Sequence, residues 1–240
     1  MTSGFVSSFE SMTALDGVGL RAMVFLHGCP LKCIMCSNPE TWHGPKPAAT
    51  TSDSIVQRIA RVAGYIDGCT VSGGEPLAQP AFTAAIMKGV KDLGLSTCLD
   101  TSGQGNHHGW DTVLSLTDHA LFCIKSLDAR MYERITGGPH ARALQFGDEL
   151  LKRDIAHHLR YVLLPGYTDR PKDLTDLIAY CKHRGPALVA VELLPYHRLG
   201  VHKWAQLGLK YPLAGMDPPR PEAVDVVADA LRSAGIRVLV

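Results

Sequence analysis

The chain lacks any run of apolar residues approaching the roughly 18 that a membrane-spanning helix needs. Its first residues, Met1-Thr2-Ser3-Gly4-Phe5, lack the basic segment and apolar stretch of a secretion signal. It also lacks a charge bias: 24 Lys and Arg stand against 23 Asp and Glu, for a formal net charge of +1. That balance gives no electrostatic reason to expect nucleic acid or an acidic membrane surface as a partner. Internal repeats, low-complexity tracts and interdomain linkers are missing too. The seven cysteines are an odd number with three of them clustered, which excludes an ordinary disulfide framework and points to a reducing cytoplasm. What is present is enough apolar material for a substantial core: 46% of 240 residues, read here as a single domain over residues 1–240.

The clustered cysteines are the most informative feature. Cys29, Cys33 and Cys36 fall within Gly28-Cys29-Pro30-Leu31-Lys32-Cys33-Ile34-Met35-Cys36-Ser37. They offer three thiolates and no fourth. An electron-transfer iron–sulfur cluster takes four cysteines, and a structural zinc site wants a closed set of four ligands. A cluster held by three leaves one iron with open positions, where chemistry can occur. Zinc completed by His27 or His43, and three unrelated core thiols, are the other readings of the same spacing. Cys69, Cys98, Cys123 and Cys181 show no paired spacing and are read as isolated thiols.

Short apolar runs alternate with helical patterns. Strands are expected at residues 22–26, 69–71, 96–99, 120–124, 159–164 and 188–193, each bounded by Gly, Pro or Asp as buried parallel strands tend to be. A helix is expected from Pro171, with Leu174, Leu177, Ile178 and Cys181 on one face and Thr168 or Asp169 before its start. A last helix is expected over residues 221–233, burying Val224, Val227 and Leu231. Residues 39–50 and 201–221 read as long loops. Six βα steps imply a parallel sheet with helices outside. The loops leave too few residues for eight steps, so the expectation is an open, partial (β/α)6 barrel of the TIM type.

In such barrels the reactive groups lie at the C-terminal ends of strands, and the chemistry-bearing residues collect there. The cysteine loop follows the first strand, and Ser72-Gly73-Gly74-Glu75-Pro76 follows the second. Asp100-Thr101 ends the third, Lys125 the fourth, and His197 trails the sixth. The two glycines allow close backbone approach; a tight βα turn would use them equally well. Lys125 at a strand end can meet a carboxylate. Arg160, inside an apolar strand, needs an acidic partner, with Asp100 and Glu192 the candidates. Asp16, in Ala14-Leu15-Asp16-Gly17-Val18-Gly19, has turn chemistry as its plain explanation.

Taken together these segments resemble the radical S-adenosylmethionine superfamily, and within it the activases of glycyl radical enzymes. The resemblance runs along almost the whole chain, from Ser8-Phe9-Glu10-Ser11 and Asp16-Gly17 through His27-Gly28-Cys29, Ser72-Gly73-Gly74-Glu75 and Thr97-Cys98-Leu99-Asp100-Thr101. It continues through Arg160-Tyr161-Val162, Pro165-Gly166, Glu192-Leu193-Leu194-Pro195-Tyr196-His197 and His202-Lys203-Trp204. It implies a [4Fe–4S] cluster on Cys29, Cys33 and Cys36, with Lys125 in the same catalytic set. It implies S-adenosylmethionine contacts from Met35, Cys36, Ser37, Gly73, Gly74, Glu75, Asp100, Cys123, Ile124, Lys125 and His197. Asp16 and Arg160 would help place a substrate glycine loop. A glycyl radical enzyme is the implied partner, and a flavodoxin- or ferredoxin-like protein the implied reductant. The alternative is the same cofactor chemistry on a small molecule or peptide. Three positions depart from the family pattern. Met35 stands where an aromatic residue is usual, Ser37 where a histidine is found, and Cys123 where an aspartate helps hold a monovalent cation with the Asp100-Thr101 pair. A thiol is a poor ligand for such a cation.

Overall fold

The computed structural model describes residues 2–240. The chain divides into two compact units, the first running up to Pro30 and over Thr41–Leu121, the second over Leu31–Glu40 and Phe122–Val240.

In the first unit, strand β1 (Ser3–Thr13) runs antiparallel to β2 (Arg21–Leu26). The short helix α1 (Glu40–His43) follows the cysteine loop and leads to β3 (Ala49–Thr51), which pairs antiparallel with β1. Helix α2 (Ser52–Ala60) starts where the Thr51 hydroxyl accepts from Ser54 N, and its Ile55 and Ile59 are buried. Strand β4 (Gly68–Gly73) lies parallel to β2, and β5 (Ser96–Thr101) parallel to β4. Helix α3 (Pro80–Asp92) begins on a proline, whose missing N–H costs nothing in a first turn, and buries Phe82, Ile86, Met87 and Val90. Helix α4 (Trp110–Leu114) follows, and β6 (His119–Cys123) carries the boundary between the units.

The second unit continues with α5 (Ala129–Thr136), α6 (His140–Lys152) and β7 (His157–Leu163). It goes on through α7 (Pro171–Arg184), β8 (Leu188–Pro195), α8 (Val201–Gln206), α9 (Pro221–Ser233) and β9 (Val238–Leu239). The Asp128 carboxylate caps α5, and Gly137 at φ +69° ends it. Strands β7, β8 and β9 are mutually parallel. The strand order has two ends, β3 and β9, so the α/β sheet is open, as the sequence predicts.

All six predicted strands form, each within two residues of its expected bounds. Three others were not expected. β1 is mostly exposed along its length, so burial never imposed a clean alternation on it, while β3 and β9 are too short to leave a pattern. Two corrections concern α7 and the loops. Arg170 caps α7, its guanidinium paired with Asp173. Thr168 instead donates to Val162 O and accepts from Leu164 N, and Asp169 accepts from Gly166 N. The expected loop at 39–50 contains α1 and reaches β3, and that at 201–221 begins with α8. Among the described residues no helix is long and apolar enough to cross a membrane.

Candidate active site

In the first unit the C-terminal ends of β2, β4 and β5 fall at Leu26, Gly73 and Thr101, and register places Leu26 beside Gly73. The segments after β2 and β4 then run in contact. Gly74 N donates to Leu26 O at 2.8 Å and Glu75 N to Gly28 O at 2.9 Å. A Cβ on Gly74 would stand 2.3 Å from Gly28 O and 3.2 Å from the Cys29 Cβ. Gly73 has φ +117°, and a Cβ there would lie 2.1 Å from Leu26 N. Gly73 is thus required by close passage against the Leu26 backbone, and Gly74 by close passage against Gly28 and Cys29. The loop is latched from behind by Gln79, whose amide donates to His27 O at 2.8 Å and Phe5 O at 3.0 Å. No sequence signal marked Gln79.

The Glu75 side chain turns away from this edge. It is buried and accepts from Thr101 Oγ1, Ser102 N, Ser102 Oγ and Leu77 N. Burial pushes its carboxyl above the ordinary value, against the pull of those donors. Four internal donors therefore take up the Glu75 carboxylate. Nearby, Ser72 Oγ donates to Asp100 Oδ2 at 2.6 Å, and Asp100 is half-buried. Asp16 lies on the β1–β2 loop, where its carbonyl accepts from Thr70 Oγ1 at 2.6 Å.

In the second unit Cys33 and Cys36 are half-buried, as is Met35, and Ser37 is exposed. Lys32 N and Ile34 N donate to Thr136 O and Ile135 O at 2.9 Å each, tying the loop to the end of α5. The other side is held by α8. Trp204 Nε1 donates to Cys36 O at 2.9 Å. Lys203 Nζ donates to Asn38 Oδ1 and Glu40 Oε1, both at 2.7 Å. A Cβ on Gly200 would lie 2.7 Å from the Ser37 backbone. Cys123 and Lys125 are half-buried. Ile124 is fully buried in the core. His197 is exposed, its Nδ1 accepting from Leu199 N at 3.3 Å.

Arg160 finds its acid across the parallel register, where it stands beside Glu192. Its Nε donates to Glu192 Oε2 at 2.6 Å, and His158 Nδ1 lies 2.6 Å from the other carboxylate oxygen. Burial alone would raise the Glu192 pKa, but the bonds from His158 and Arg160 outweigh it and hold the group below the ordinary carboxylate value.

Thus the structure brings Cys29 against Gly74, Ser72 to Asp100, and Arg160 to Glu192. It seats Cys36 and Ser37 on α8. Among the described residues no group of three or more His, Cys, Asp or Glu is arranged as a metal-ligand set. The donor chemistry still suits an iron–sulfur cluster: three thiols, the first beside a glycine cradle that any Cβ would fill.

Residues 23–178 match the family model of the radical SAM superfamily, and the chain belongs to that superfamily. Its curated relatives are more particular. It is 38% identical over 236 residues to the pyruvate formate-lyase-activating enzyme of Staphylococcus epidermidis, with 93% of each chain covered. It is 38% identical over 235 residues to that of Staphylococcus aureus, again over 93% of each; these activating enzymes are its family. Among solved structures, a domain of a pyruvate-formate lyase-activating enzyme from Bacteroides vulgatus matches with TM-score 0.60 at 22% identity, over 72% of this chain and 97% of that one. Streptococcus suis SuiB bound to S-adenosylmethionine matches with TM-score 0.68 at 14% identity, over 88% of this chain and 47% of that one. Those two likenesses concern the fold.

Proposed function

We propose that this chain is a radical S-adenosylmethionine oxidoreductase that installs a glycyl radical on a partner enzyme, and that residues 1–240 act as one functional domain. The superfamily match runs through both units, which supports the single-domain reading. When bound, a [4Fe–4S] cluster and S-adenosylmethionine would supply the reductive, hydrogen-abstracting chemistry that glycyl radical formation needs.

The chain's own residues provide the setting. Cys29, Cys33 and Cys36 would hold the cluster, with no fourth cysteine to close it. Gly73, Gly74 and the backbone of Glu75 offer peptide groups to its amino end, because no side chain intervenes there. Lys125 would set a positive charge against its carboxylate, and His197 would hydrogen-bond the ribose. Met35, Cys36, Ser37 and the backbone of Ile124 line the remainder, Met35 packing a thioether where the family has an aromatic ring. Asp100, with Thr101, faces the monovalent-cation position, which Cys123 weakens by replacing a hard anionic ligand. Asp16 and Arg160 place the substrate glycine loop. A flavodoxin- or ferredoxin-like donor supplies the electron, in the cytoplasm.

The single observation that carries this reading is the packing of Gly74 against Gly28 and Cys29, in a chain 38% identical to activating enzymes over nearly its full length. The test is anaerobic reconstitution with iron and sulfide, then reduction in the presence of S-adenosylmethionine. Formation of 5'-deoxyadenosine is expected. A chain that retains only zinc, or a loaded cluster that leaves the cofactor intact, contradicts the proposal.

A further inference from the structure

The β1–β2 loop carries exposed apolar residues: Leu15 is 84% and Val18 62% exposed. Hydrophobic burial therefore does not hold these two positions. Polar bonds hold the loop instead, and two of them trace to one buried residue, one directly and one through Thr70. Arg21, the first residue of β2, is 2% exposed. Its Nη1 donates to Val18 O and Ser96 Oγ, both at 2.9 Å. Its Nη2 donates to Cys69 O at 3.1 Å and Ser96 O at 3.0 Å. Its Nε donates to Thr70 Oγ1 at 2.9 Å, and that same hydroxyl donates to Asp16 O at 2.6 Å. Arg21 thus reaches the loop twice, directly at Val18 and through Thr70 at Asp16.

The remaining geometry allows this and little else. Gly17 has φ +118°, and a Cβ there would stand 3.0 Å from Arg21 Cδ and 3.3 Å from Cys98 Sγ. Leu20 N donates to Asp67 Oδ2 at 2.7 Å, and Asp67 N to Leu20 O at 2.7 Å, closing the loop's far end. Thr70 and Ser72 share one face of β4, as Cys98 and Asp100 share one face of β5. Thr70 and Cys98 are register partners. Asp16 is therefore pinned beneath the Ser72–Asp100 pair, about 7 Å down the strands at two residues' rise.

We infer that Arg21 and Thr70 are positioning residues: they form a polar strap that fixes the β1–β2 loop on the sheet face and so presents Asp16 to the substrate segment. The inference rests on the reading of Asp16 as a substrate contact. Its structural half is independent of that reading. A buried guanidinium whose bonds run to carbonyls and hydroxyls is costly to place, and here its donors are spent on loop and strand ends.

Arg21→Met removes all five bonds and threatens the fold itself, so the decisive variant is Thr70→Val, which keeps the shape and deletes the relay. Hydrogen exchange on the loaded, full-length protein should rise about tenfold at the amides of residues 15–19, the equivalent of one lost hydrogen bond, and stay unchanged in β4 and β5. The KM for the glycyl radical enzyme should rise by a similar factor with kcat little changed. Cleavage of S-adenosylmethionine without partner should be unaffected, and Thr70→Ser should restore both readouts. Unchanged exchange at 15–19 overturns the strap. Partner-free cleavage falling in step with the coupled rate overturns the positioning role. If the wild-type chain radicalises no partner, the Asp16 reading fails, while exchange still decides whether the strap exists.

Discussion

Glu192 serves two neighbours at once, and its protonation is where pH should act on the fold. The bonds from His158 and Arg160 hold its pKa below that of an unfolded chain. A carboxylate depressed in this way stabilises the folded state at pH above its unfolded value, near 4.3. That contribution is lost as pH falls through the lower folded value. Denaturation followed against pH should therefore show stability declining on acidification below the carboxylate range. Glu192→Gln should flatten that slope and cost about 2 kcal/mol at neutral pH, since the half-buried Arg160 and the buried His158 lose the carboxylate charge they share. A variant with wild-type slope would show that the pair contributes nothing to acid sensitivity. The sequence showed that Arg160 needed an acid and offered two; only the register of β7 and β8 decides between them. The partners of the Glu75 carboxylate were not legible, because its motif gives no sign that the chain past β5 turns back to meet it.

Helix α8 is the element the sequence hid most completely. Six residues long, it is too short to show periodicity and begins inside what reads as a loop. Yet Gly200, Lys203 and Trp204 all close on the segment from Cys36 to Glu40. The strand β1 was hidden for another reason: its exposed face carries no apolar alternation, and cation–ring contacts from Lys46 to Phe5 and Arg58 to Phe9 cover its aromatics. Strands β2, β4 and β5 were legible because burial on both faces leaves short cores of apolar and small residues, 22–26, 69–71 and 97–99, between polar or Gly ends. If α8 is the clasp of the cluster loop, Gly200→Ala should disturb it. The new methyl meets the Ser37 backbone at 2.7 Å, so loop or helix must shift, at about 1–3 kcal/mol. Lower iron retention after anaerobic reconstitution, alongside a reduced melting temperature, is the expected result. Full iron retention would show that the loop is held elsewhere.

At the scale of the whole molecule, the open α/β sheet and the strand-end placement of the motifs were legible from βα alternation alone, because parallel strands impose both. How the loops are braced was not, since Arg21, Gln79 and Trp204 act through distant backbone atoms that spacing cannot pair. The central claim is that three cysteines support radical formation on a partner's glycine. Its most direct test is electron paramagnetic resonance of a glycyl radical enzyme mixed anaerobically with the reconstituted, reduced chain and S-adenosylmethionine. A glycyl radical matched by 5'-deoxyadenosine, and abolished by Cys33→Ala, is the predicted result. No radical from the wild-type chain, or an equal radical from Cys33→Ala, would contradict it.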